Sequence, residues 1–259
     1  LVLVALASLV LGMGLPVTAA YIVLATLSAP ALYGLMAERE LIQLMVNGQL
    51  PEMARTIFML VDPNSLTALA APMSEAQAMG LLEQVPSDFK GQLMEQALAP
   101  EKLAMILLAA HMIIFWLSQD SNVTPPVCLT AFAAAAIART PPMATGFTAW
   151  KISKGLYVVP LLFAYTPFIG GSWAEVLTIF SFGILGMYAF VGFMEGYLEG
   201  RLNLLLRLLC GVCALGLLWP HGQLMYDLIA AVAFVALFVF SRRFGESPAS
   251  NNEEQARHA

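Results

Sequence analysis

Residues 103–138 read LAMILLAAHMIIFWLSQDSNVTPPVCLTAFAAAAIA, with Asp120 as the one charged side chain. A membrane-spanning helix needs about 20 apolar residues to cross a hydrocarbon core about 30 Å thick. The first arm, 103–119, nearly meets that requirement. The chain then runs into Ser121-Asn122-Val123-Thr124-Pro125-Pro126. Successive prolines push the preceding backbone out of the helical region and supply no amide donors. The second arm, 127–138, is too short to cross by itself. The stretch therefore reads as one transmembrane helix broken by a short unwound loop.

Residues 1–37 carry no charge at all. At about 1.5 Å per residue they would form a rod of roughly 55 Å, too long for one span and too short for two spans plus a turn. Gly12-Met13-Gly14-Leu15-Pro16-Val17-Thr18 sits in the middle. Glycine and proline weaken a continuous helix there. The simplest geometry is a re-entrant hairpin of two half-depth helices over 1–37. Further charge-free stretches at 155–174, 176–194, 208–226 and 228–241 supply the remaining spans. Residues 38–102 instead hold 13 of the 29 charged side chains. The expected organisation is a hairpin at 1–37, a polar extramembrane insert at 38–101, and the broken helix with a following span at 102–170. C-terminal transmembrane helices at 171–244 and a disordered tail at 245–259 complete it.

Composition sets the class. Of 259 residues, 59% are hydrophobic and 11% charged, with a mean hydropathy of +0.78. Soluble domains carry about 45–50% apolar and about 25% charged residues. A disordered chain and a water-soluble globule are both excluded. The fold class is an all-α polytopic membrane protein. A net charge of -5 offers no basic field for nucleic acid. Three cysteines cannot build a disulfide framework. Cys210 and Cys213 have CxxC spacing, but they lie among leucines with no second pair and read as packing. No HExxH, GxSxG or phosphate-loop pattern occurs, and no matched nucleophile and base argue for an enzyme. Leu1 opens inside an apolar run, so the chain reads as a piece of a longer protein whose N-terminal part is missing.

Short cytoplasmic loops gather Lys and Arg. Arg139, Lys151 and Lys154, then Arg201 and Arg207, then Arg242 and Arg243 form three basic regions, while the turns near Gly170-Gly171 and Pro220-His221 have none. The basic regions are thus expected in the cytoplasm. A single crossing by 103–138 puts the insert outside; a second hairpin there would put it inside. The single crossing is preferred because the second arm is the shorter one.

Unwound backbone in hydrocarbon leaves peptide groups unpaired, at several kcal/mol per group. Each break is either a proline kink sealed by neighbouring helices or a place occupied by something polar. A half-helix N-terminus suits a carboxylate. A half-helix C-terminus and free carbonyls suit a small cation such as Na⁺. The candidate ion and substrate residues are Gly12, Gly14, Pro16, Thr18, Ser121, Asn122, Thr124, Pro125 and Pro126. Ser121, Asn122 and Thr124 supply uncharged oxygens; beyond a Na⁺ site, no metal centre is expected. Asp120 either couples ions or caps the loop, and His111 reads as a hydrogen-bonding partner for a neighbouring helix.

GMGLPVTAAYIVLATLSAPAL (12–32) and HMIIFWLSQDSNVTPPVCLTAFAAAAIARTPPMATGFTAWK (111–151) resemble the large membrane subunit of tripartite ATP-independent periplasmic (TRAP) transporters. The resemblance is strongest to the fused-permease type served by TAXI-class binding proteins. It implies secondary transport driven by an ion gradient, commonly Na⁺, in the cell inner membrane. It further implies an elevator-type subunit of two repeats and a periplasmic binding protein that delivers a small organic anion such as a carboxylate. On that resemblance 1–36 is the outward-opening hairpin of the second repeat, and Ser121–Pro126 is the unwound loop facing it. A channel, or a membrane scaffold with no transport activity, are the rival readings.

Overall fold

The computed structural model describes residues 1–61, 69, 71–219 and 224–244. The turn expected at Pro220-His221 and the tail expected at 245–259 lie outside the described residues. Those residues form helices joined by turns, with no strand among them. The chain divides between Trp150 and Lys151 into two compact units, inside the expected 102–170 segment.

The N-terminal unit opens with α1 (Val2–Gly12) and α2 (Val17–Val46). Between them the helix stops at the predicted place. Pro16 takes an extended conformation (φ -62°, ψ 154°) and starts α2, a position where its missing amide costs little. The second arm does not end near residue 37. α2 runs on to Val46, about 45 Å in all, because the charged segment past Ala37 is itself amphipathic. Ala37, Leu41 and Met45 are buried. On its outer surface Glu38 pairs with Lys90 at 2.8 Å and Glu40 with Lys102 at 3.0 Å. Gly48, with φ +68°, ends the helix, and the Gln49 amide returns to the Leu44 carbonyl at 2.8 Å.

The region expected as a polar insert is folded. It contains α3 (Glu52–Val61), α4 (Glu75–Glu83) and α5 (Ser87–Ala97). A capping box starts α4, with Ser74 and Gln77 exchanging hydrogen bonds. Leu50, Phe58, Leu82 and Leu93 share one apolar core with Leu41 and Met45 of α2. Ile106 of α6 (Pro100–Ser118) joins the same core. Among the described residues the charged side chains of this helical cap are exposed or half-buried, which is why composition alone reads it as an insert.

α6 is followed by a 3₁₀ turn (Gln119–Asn122), an irregular turn, α7 (Leu129–Ala138) and α8 (Pro142–Ile152). Among the described residues four helical segments are long and apolar enough to cross a membrane: Val17–Val46, Pro100–Asn122, Trp173–Glu195 and Leu224–Arg243. The protein is a multi-pass membrane protein on that ground.

The C-terminal unit begins with a 3₁₀ turn (Ser153–Tyr157) and α9 (Val159–Tyr165). The span expected at 155–174 is therefore not one continuous helix. Thr166 is extended (φ -128°, ψ 157°), as the residue before Pro167 should be, and Gly170 turns the chain at φ +87°. α10 (Trp173–Glu195), α11 (Leu204–Leu218) and α12 (Leu224–Phe244) follow. Buried Gly183, Gly186, Ala189 and Gly192 make a smooth stripe on α10. At Gly186 an added Cβ would stand 2.7 Å from Leu218 Cγ, so glycine permits this approach of α11. Cys210 and Cys213 are buried free thiols in the same core as Ala189, Leu217 and Phe234. They pack, as their surroundings in the sequence suggest. Arg207 closes the end of α10, donating to the Phe193 carbonyl at 2.5 Å and the Met194 carbonyl at 2.7 Å.

Candidate functional site

In the N-terminal unit the end of α1 meets the turn that follows α6. Ser8, one turn before the end of α1, is buried and donates from Oγ to the Leu117 carbonyl at 2.7 Å. That carbonyl lies in the last turn of α6 and also accepts from the Gln119 amide. The bond fixes α1 against the end of α6. Gly12 consequently lies on the 3₁₀ turn. A Cβ added there would stand 3.2 Å from Ser121 N, 3.3 Å from Ser121 Oγ and 3.4 Å from Asp120 Oδ2. Glycine is what allows this close approach of backbone to turn.

The turn has an internal frame. The Val123 and Thr124 amides donate to the Asp120 carbonyl at 3.0 and 2.9 Å, and the Cys128 amide reaches the Thr124 carbonyl at 3.3 Å. Asn122 acts as a strap. Its Nδ2 donates to Gln119 Oε1 at 3.2 Å, and its Oδ1 accepts from Thr130 Oγ1 of α7 at 3.1 Å. α8 closes against the loop through Gly146, where an added Cβ would fall 2.8 Å from Cys128 Sγ and 3.3 Å from Pro125 Cγ. Across the helices, Tyr21 of α2 and His111 of α6 are joined through the hydroxyl and Nδ1 at 3.1 Å.

Asp120, Ser121 and Thr124 are 1%, 3% and 3% exposed. Ser121 Oγ and Thr124 Oγ1 are buried and have no hydrogen-bond partner among the described residues. An unsatisfied buried hydroxyl costs about 1–3 kcal/mol, and native structures keep few of them. Here two lie within one short turn, next to a buried carboxylate and the C-terminal end of α1. A helix C-terminus carries partial negative charge. All of these groups favour a cation. Among the described residues no three His, Cys, Asp or Glu side chains cluster as a transition-metal site would need. The donor set, mostly neutral oxygen with one carboxylate, fits a desolvated monovalent cation.

The structure therefore brings together Gly12, Asp120, Ser121 and Thr124 from the sequence-predicted set. Pro125 is buried beside them, while Pro126 is exposed and Asn122 half-buried. Gly14, Pro16 and Thr18 are exposed, and a Cβ at Gly14 would meet nothing nearer than Leu11 O at 4.0 Å. Ser8 and Gly146 are the contributors that sequence reasoning missed. Ser8 has a visible signal, being the one hydroxyl in the apolar run of α1. Gly146 has none, because its need arises from a distant sulfur. The C-terminal unit holds a separate cavity of about 460 Å³ lined by residues that include Leu162, Thr166, Glu175, Trp219 and Asp227. None of the break residues lines it.

The sequence profile of the family described as tripartite ATP-independent periplasmic transporter, DctM component, matches residues 1–169. Neither a curated protein nor a solved structure matches the chain. The matched region spans both helix breaks, the helical cap and the chain through α9. A transporter family, not an enzyme family, thus accounts for most of the sequence, and the chain belongs to the DctM component family of the tripartite ATP-independent periplasmic transporters.

Proposed function

We propose that this chain is part of a secondary-transporter permease of the cell inner membrane, driven by an ion gradient with Na⁺ as the coupling ion. The reading rests on one observation. Two buried hydroxyls without partners among the described residues, Ser121 Oγ and Thr124 Oγ1, stand beside Asp120 where the end of α1 meets the turn after α6. Na⁺ held there would satisfy both hydroxyls, and the carboxylate would balance its charge. Asn122 and Ser8 position the turn and do not supply free oxygens. In this reading α1 and α2 form a re-entrant hairpin whose second arm continues past residue 37 into the helical cap, and 103–138 is a broken transmembrane helix. The basic regions face the cytoplasm, and the helical cap lies outside.

The transported solute is a small organic anion such as a carboxylate, delivered by a periplasmic binding protein of the TAXI class. The N-terminal remainder of the same permease completes the path. Half-helix N-termini at α2 and α7 offer amides suited to a carboxylate. The test is uptake by the complete permease in proteoliposomes together with its binding protein, scanned over radiolabelled acids. Uptake that needs an inward Na⁺ gradient, and is lost in choline, supports the proposal. Equal uptake in sodium and choline overturns the Na⁺ assignment. Flux that follows the solute gradient alone, with no binding protein required, replaces the transporter by a channel.

A further inference from the structure

Between Asp120 and Glu175 the chain contains no acidic residue, yet Arg139, Lys151 and Lys154 stand there. α8 lies within this stretch. Met143, Phe147 and Trp150 recur at i, i+4 and i+7 and so share one helix face. They are 44%, 55% and 38% exposed, whereas Gly146 is buried against Cys128. α8 rises only about 16 Å, roughly half a hydrocarbon core. Met143, Phe147 and Trp150 thus form an exposed apolar and aromatic strip next to a basic residue, the pairing of hydrocarbon contact and positive charge that an anionic lipid needs.

Arg139 adds a second observation. It caps the C-terminus of α7 in the left-handed conformation, φ 54° and ψ 41°. Glycine ordinarily fills that position, because any Cβ is strained there. Thr140 Oγ1 meets Thr145 Oγ1 at 2.8 Å, and Thr145 Oγ1 also donates to the Pro141 carbonyl at 3.1 Å. These contacts hold Arg139 at the start of α8. Arg139 is exposed, and no acid among the described residues pairs with it. Lys151, by contrast, is engaged by Glu195 at 3.1 Å.

We infer that Arg139 and the Met143–Phe147–Trp150 face form a binding site for an anionic phospholipid, the headgroup phosphate on the guanidinium and the acyl chains on α8. This site is independent of the transport reading, and its test involves no transport.

The complete permease is purified in detergent, exposed to equimolar phosphatidylglycerol and phosphatidylcholine, and its retained lipids are counted by native mass spectrometry. The wild type should prefer phosphatidylglycerol. Arg139→Gly should reduce that preference about fivefold, the worth of one basic residue at a lipid surface, while melting no lower than the wild type. Arg139→Lys should keep most of the preference, and Phe147→Ala with Trp150→Ala should lower retention of both lipids. An equal uptake of the two lipids by the wild type overturns the inference. So does an unchanged preference in Arg139→Gly, or displacement of the lipid by equimolar inorganic phosphate.

Discussion

Replacing the two buried hydroxyls by apolar groups of similar shape gives a prediction with an unusual sign. In the double variant Ser121→Ala, Thr124→Val, two unsatisfied oxygens disappear from a turn where both residues are 3% exposed. Each carries a desolvation penalty of about 1–3 kcal/mol without a partner, so the ion-free protein should gain roughly 2 kcal/mol or more. The small cavity at Ser121 reduces that gain, while valine preserves volume at Thr124. Bound ion acts in the opposite direction. A ligand present at 100 times its Kd stabilises the folded state by about 2.7 kcal/mol, and the variant should lose this entirely. The assay is thermal unfolding of the complete permease in detergent, in choline and in sodium. The wild type should melt several degrees higher in sodium. The variant should melt above the wild type in choline and be indifferent to sodium. A variant that keeps the full sodium-induced rise in Tm would refute the reasoning, because the hydroxyls would then have no part in holding the ion.

Gly12→Ala places a methyl 3.2–3.4 Å from Ser121 and Asp120; overpacking of about 1–3 kcal/mol outweighs a helix-propensity gain of about 1 kcal/mol, and the sodium concentration for half-maximal uptake should rise up to about tenfold, with an unchanged value excluding contact between Gly12 and the ion site. Arg207→Ala uncovers the Phe193 and Met194 carbonyls at the end of α10 and should lower Tm by several degrees; Arg207→Lys should restore little, since a single ammonium cannot match the planar fork, and full rescue by lysine would show that charge alone matters. A cysteine at exposed Ser87 of the helical cap should react with an impermeant maleimide in intact cells, whereas labelling only after permeabilisation would reverse the proposed sidedness.

The sequence by itself determined the solvent and the interruptions. Fifty-nine per cent apolar residues and so few charges cannot cover a soluble fold, and the breaks at Gly12–Pro16 and Ser121–Pro126 follow from proline's missing amide and fixed φ. These are local rules, readable without knowing any neighbour. Tertiary structure decided which break residues share a place. Gly12 touches the 3₁₀ turn because Ser8 binds a carbonyl 109 positions away. It also decided that Asn122 ties Gln119 to Thr130, a partner that lies beyond the prolines. The insert was the clearest divide. Its charges were legible, but its fold depended on Leu41, Met45 and Ile106, which belong to α2 and α6. Burial is a property of the assembled chain, so a segment whose core is shared with distant helices cannot show that core within its own residues.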